Sequence, residues 1–279
     1  MHCRAGASGT PQCGIGLPLS HQSRSCSDIR PAGTERRKRV YLCHPQEPRR
    51  CETEARLINL CDLRLYQLIS PTLPVGGFTY SQGLEWAVEA SWVHDRESLE
   101  QWLQGLLRHS ITTLELPILL RLIAAFDRGC EQAVIRWCHC LVASRETLEL
   151  RKEERQRGAA LAKLLPSLGV VVPDELASAI ASTQLAGIAL AVHTWAIPAQ
   201  QACGGYAWSW LENNVMAGVK LIPLGQTQGQ QILLSIAGDI PIAVEAAGQL
   251  DDHAIGSSTP ALAIASSGHE TQYTRLFRS

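Results

Sequence analysis

Between Leu176 and Leu211 the chain reads L-A-S-A-I-A-S-T-Q-L-A-G-I-A-L-A-V-H-T-W-A-I-P-A-Q-Q-A-C-G-G-Y-A-W-S-W-L, without one Asp, Glu, Lys or Arg. Such a run is long enough to cross a bilayer, so its reading decides between a membrane protein and a packed helical one. Composition favours packing. The run is mostly Ala, Ser, Gly, Thr and Gln, interrupted by His193, Pro198 and Gly204-Gly205. Alanine transfers weakly into hydrocarbon, whereas small side chains let neighbouring backbones approach closely inside a fold. The expectation is a buried helix from about Glu175 to Ile197 in a protein that does not enter a membrane.

Working outward, the surrounding sequence keeps a helical period. Leu57, Leu60, Cys61, Leu65, Leu68 and Ile69 form one apolar stripe that ends at Pro71. Asp95 is placed to cap a helix carrying Leu99, Trp102, Leu103, Leu106, Leu107 and Ser110 on one face. A helix over 116–126 tolerates Pro117 in its first turn and finds Gly129 near its end. Further helices are predicted over 133–142, 206–221, 226–237 and 240–250. The charged run from Arg145 to Leu165 reads as a solvated helix face with a Glu153–Arg157 pair at i,i+4. No alternating strand pattern of useful length and no repeat appears. The fold class is all-α, a single-domain bundle of roughly eight to ten helices over 57–279.

Residues 1–56 differ in texture. They are rich in Gly, Pro, Ser, Arg and Cys with no sustained period, and read as a disordered or non-native extension. Residues 1–50 hold nine Lys/Arg against three Asp/Glu, leaving sixteen against twenty-three for the rest, within a total net charge of −1. The acidic body speaks against nucleic acid as a partner. Six of the ten cysteines lie in the first 61 residues at irregular spacings, with no C-x-x-C. That pattern gives no zinc site, and with no secretion signal it points to a reducing cytoplasm.

Signatures of catalysis are absent from the sequence. It contains no G-x-x-x-x-G-K-[ST] loop, no G-x-S-x-G elbow and no H-E-x-x-H. Cys138-His139-Cys140 places its thiols about 200° apart on a helix, too far round to share an ion readily. His253 and His269 read as solvated loop histidines. Two alternatives stay open: a stand-alone helical enzyme with titratable groups around Glu85, His109 and Glu115, and a helical nucleic-acid-binding protein.

The recognition chemistry sits at two ends of the body. Ser70–Glu85, S-P-T-L-P-V-G-G-F-T-Y-S-Q-G-L-E, is a turn shaped by Pro71, Pro74, Gly76 and Gly77 that feeds into a helix carrying Tyr80, Gln82 and Glu85. The chain closes on H-E-T-Q-Y-T-R-L-F-R-S, His269 to Ser279, rich in groups that make directional contacts. Arg and aromatic side chains dominate interface hot spots. Glu270, Gln272, Tyr273, Arg275 and Phe277 are therefore expected to dock on a partner, or on their own domain until a partner arrives.

Together with Tyr206–Gln230, Y-A-W-S-W-L-E-N-N-V-M-A-G-V-K-L-I-P-L-G-Q-T-Q-G-Q, and Ser144–Arg151, these segments resemble the urease accessory protein F family. The resemblance spans roughly Leu57 to Ser279. Gly77 and Thr79 stand where Ala and Ser are commoner. It implies an all-α, non-enzymatic maturation chaperone that dimerises, binds the accessory D (or H) protein and recruits the accessory GTPase G. The assembly would deliver nickel to apo-urease, with nickel handled inside the complex and no cofactor held permanently. Tyr80, Gln82, Glu85, Glu270, Gln272, Tyr273, Arg275 and Phe277 are the partner-binding residues it implies, and Pro74, Gly76 and Gly77 the structural turn.

Overall fold

A computed structural model describes residues 58–256 and 259–279. The extension assigned to residues 1–56 lies outside the described residues, as does Leu57 of the first apolar stripe. Helices α1 (Leu60–Ile69), α2 (Leu84–Glu89), α3 (Arg96–Leu106), α4 (Leu116–Asp127), α5 (Glu131–Ala143) and α6 (Leu148–Leu164) form the first half. Helices α7 (Ala177–Ser182), α8 (Gln184–Thr194), α9 (Ala199–Leu221), α10 (Gln226–Ala237), α11 (Ile240–Gln249) and α12 (Pro260–Glu270) complete it. Among the described residues there is no strand, so the all-α reading holds.

The predicted caps form. The Asp95 carboxylate accepts from the Ser98 amide at 2.8 Å and starts α3. Helices α3 and α4 run on into one 32-residue rod, Arg96–Asp127, through a π-helical stretch, Leu107–Glu115. Its local cause is legible. Pro117 has no N–H to offer the Thr113 carbonyl four residues back, which accepts from the Gly256 amide at 3.3 Å instead. The Thr112 hydroxyl bonds the Leu107 carbonyl, five residues back, at 2.6 Å.

The uncharged run folds as the centre of the molecule, but not as one helix. It breaks at Thr183, whose backbone is extended at φ −150°. Three contacts hold the break: the Thr183 hydroxyl donates to Glu154 Oε1 at 2.7 Å, caps the Leu185 amide at 3.1 Å, and Gly158 passes close by. A Cβ on Gly158 would stand 2.6 Å from the Thr183 nitrogen, so only glycine fits. Past the break, every residue of α8 from Gln184 to Val192 is buried, packed against α4 and α6. The rod Arg96–Asp127 is largely buried too, so its length and hydropathy are those of a core helix.

Two further expectations are corrected. Leu60, assigned to the buried stripe of α1, is 66% exposed, while Leu65 and Leu68 carry the packing. The charged run from Arg145 is solvated on one side alone, where Glu146, Lys152, Arg155 and Lys163 are exposed. Arg145, Glu153 and Glu154 are all buried, because the run supplies the polar half of the core.

Candidate functional site: a C-terminal clasp over a buried ion knot

Arg145 lies between two carboxylates, Glu115 Oε1 at 2.8 Å and Glu154 Oε2 at 2.7 Å. Glu115 also accepts from the Tyr206 hydroxyl, and Glu154 from Thr183 and the Gln184 amide. Burial alone would pull the Arg145 guanidinium down, but Glu115 and Glu154 hold its pKa well above the usual value. Burial pushes the Glu154 carboxyl up, and Arg145 with the Thr183 hydroxyl outweighs it, leaving a net lowering. The Tyr206 phenol is raised by burial and by Glu115, so it stays protonated and donates.

Over this knot sits the C-terminal tail. Glu85, buried at the start of α2, accepts the backbone amides of Leu276 at 2.6 Å and Phe277 at 2.9 Å. His269 lies between Glu85 (Nε2, 3.2 Å) and Glu149 (Nδ1, 2.6 Å), and Glu149 also takes Arg275 Nη1 at 2.6 Å. Glu270 accepts from the Glu149 amide at 3.0 Å, placing an anion at the N-terminus of α6. The last residues pair along the turn before α2: Arg278 N to Thr79 O at 2.9 Å and Ser81 N to Ser279 O at 2.7 Å. The Ser279 hydroxyl reaches Glu153 at 2.8 Å.

Gln82 ties the turn before α2 to α6 and α9. Its amide donates to Glu153 Oε1 at 3.0 Å and its carbonyl accepts from Trp210 Nε1 at 3.0 Å. It does so from a left-handed backbone, φ +52°, a conformation that costs a non-glycine residue and persists where the surroundings enforce it. Gly83 follows at φ +80°, and Tyr80 bonds Gln156 at 2.8 Å.

The predicted residues thus fall into two groups. Tyr80, Glu85 and Phe277 are buried, contrary to the exposed character expected of them, because their polar atoms or rings hold the tail to its own domain. Gln82, Glu270 and Gln272 are half-buried, whereas Tyr273 is fully exposed and Arg275 stands at the rim. Of the structural turn, Gly76 has φ +73° as predicted, and Pro74 is exposed. Phe78, presented by that turn, and Leu276 are exposed at 57% and 66%. Together they leave a rim of aromatic, aliphatic and cationic groups on a fixed backbone.

Other sequence candidates are placed elsewhere. His269 is not in a loop; it is fully buried on α12. Glu85, His109 and Glu115 do not converge: His109 is exposed, Glu85 holds the tail, and Glu115 is tied to Arg145. The Cys138 thiol is buried and pushed up to about 12 by desolvation, which suits packing and not ligation. Glu149 and Gln156, and Glu153 beyond its pairing with Arg157, form the body's side of the clasp, a role that charge alone does not announce. Their i, i+4, i+7 spacing on one face of α6 was the available signal.

An all-α body that mounts its own tail as a fixed surface, over a sealed polar core, has the build of a protein-binding accessory module. Comparison with known proteins gives the particular family. The family model described as UreF matches residues 93–237. The urease accessory protein UreF of Alcanivorax borkumensis is 52% identical over 231 residues, covering 79% of this chain and 99% of that protein. The UreF of Pseudomonas putida strain F1 is 49% identical over 221 residues, with the same shares, and that of Escherichia coli O157:H7 is 45% identical over 217 residues, covering 78% and 97%. The chain belongs to the urease accessory protein UreF family. It is an accessory protein that supports urease maturation with partners of that process, and not an enzyme.

Proposed function

We propose that the chain, together with the accessory D (or H) protein, recruits the accessory GTPase G and so supports nickel delivery into apo-urease. It works as a homodimer in the cytoplasm and holds no nickel permanently. Cys61, Cys130, Cys138, Cys140 and Cys203 are all free thiols, as suits a reducing compartment. The observation that carries the reading is the clasp. Glu85 and Glu149 immobilise the tail while Tyr273, Arg275 and Leu276 stay outward, so a partner meets a surface already ordered and the entropy of ordering it is not charged to binding.

The test is the double variant Tyr273→Ala/Leu276→Ala, which touches outward groups alone. The expected result is an unchanged melting temperature with loss of GTPase capture in a pull-down and lower urease activation in cells. Normal capture with normal activation would sink the proposal.

A further inference from the structure

Arg157, on α6, uses only part of its guanidinium. Nη1 donates to Glu153 at 2.9 Å, but Nε is sealed from solvent and has no hydrogen-bond partner among the described residues. A buried donor left in this state is strongly disfavoured, and native folds supply it with an acceptor. Nε and Nη2 share the edge of the guanidinium that grips an oxygen side-on. Nη2 faces Gly77, standing 3.9 Å from where a Cβ there would sit.

Arg157 lines two small hollows. One lies beneath α1, bounded by Leu65, Leu68, Ile69, Arg157, Gln184 and Ser209 among others; the second lies beneath the Pro/Gly turn and adds Ser70, Pro71, Gly77 and Asn213. Each measures about 20 Å³ of space open to the centre of a water molecule, room for one ordered water with polar groups in the wall. We infer that Arg157 is the anchor of a buried hydration site, with an ordered water on its Nε/Nη2 edge in each hollow, so that α1 and the Pro/Gly turn are seated on bound solvent. This inference is independent of the partners proposed above.

Charge selects water over an oxyanion. The neighbouring buried ion pairs, Arg157 with Glu153 and Arg145 with Glu115 and Glu154, hold three carboxylates against two guanidinium groups, and Glu154 acts on Arg157 through space. A further anion would enter a site already negative in sum, whereas a neutral oxygen satisfies the donor without adding charge. Gly77 fits the same picture. A Cβ there would stand 3.2 Å from Asn213 Nδ2, so a larger side chain would press on the wall of the second hollow.

The experiment uses the full chain. A crystal structure that resolves ordered solvent should show density within hydrogen-bond distance of Arg157 Nε. In solution the Arg157 Nε–H resonance should show a cross-peak to long-lived water and no saturable shift on titration with nitrate or formate. Arg157→Met should abolish both the density and the cross-peak. If that variant does not fold, Ser209→Val, in the wall of both hollows, takes up their space and should remove the bound water and move the Nε–H resonance. A dry hollow, an Nε bonded to a protein oxygen, a water cross-peak unmoved by Ser209→Val, or saturable nitrate or formate binding would each overturn the inference.

Discussion

The knot at Arg145 and the clasp at Glu85 are built from the same parts, carboxylates that gather donors from distant stretches of chain, yet they behave as different materials. In the knot every member is buried, and Arg145 is held by two carboxylates whose remaining donors are buried hydroxyls and an amide, so water has no access to replace them. In the clasp, Glu85 and Glu149 accept from backbone amides, from His269 and from a rim arginine that is 39% exposed. At the Arg275 rim solvent stands close enough to take over a lost bond, although Glu85 and His269 beneath it are buried. Both have buried centres; the open rim of the clasp, and not residue type, separates the part that presents a surface from the part that specifies the fold.

The comparison breaks first at Arg145. Arg145→Ala strands two buried carboxylates, and uncompensated buried charge of that kind costs about 3–5 kcal/mol. Denaturant unfolding should show the loss in full, or the variant should be insoluble. A loss under about 1 kcal/mol would put the knot in the same class as a surface pair. Glu85→Ala comes next, at about 2 kcal/mol, since it removes two amide acceptors and one side of His269 while the partly open Leu276 amide can turn to water. Amide exchange gives the sharper reading: Leu276 and Phe277 should lose protection while the α8 amides keep theirs. Equal loss throughout would mean that tail and core unfold as one unit.

Acid should divide the regions by a smaller step. The Glu154 pKa is lowered from its ordinary 4.5, so its contribution is complete above that value. It disappears as pH falls through the lowered one, at about 1.4 kcal/mol for each unit of depression. Stability measured against pH should steepen below about 4.5, and Glu154→Gln should flatten that limb. An unchanged acid limb in the variant would remove Glu154 from the titration.

Legibility in the sequence followed periodicity and stopped where polar chemistry overrode it. The limits of α10, the cap at Asp95 and the Pro117 turn were all readable, because each depends on neighbours in sequence. The break at Thr183 was not, since it is imposed by Gly158 and Glu154 from another helix. The charged run misled for a related reason: charge normally marks solvent, and nothing local said that Arg145 would meet Glu115 and Glu154 in the core. The two halves of the clasp could be recognised separately, but their meeting needed Glu149 and Glu153, whose partners lie 126 residues away at Arg275 and Ser279.

The smallest expected effect on stability is the one that bears most on the proposed function. Arg275 reaches Glu149 at 2.6 Å from the exposed rim, and an ion pair so placed contributes about 0–1 kcal/mol. Its removal leaves Glu149 still bonded to His269, so the clasp stays shut and no charge is stranded in the core. Arg275→Ala should therefore shift the melting temperature little. If the outward face of this arginine is what the GTPase grips, the same change removes an interface anchor of about 2 kcal/mol or more, roughly thirtyfold in affinity. A pull-down of both partners alongside a urease assay separates the outcomes. Retained capture would confine Arg275 to holding the tail and move recognition to Tyr273, Leu276 and Phe78. Lost capture with unaltered amide protection at Leu276 and Phe277 would show that the rim recognises its partner directly, with the clasp beneath it intact.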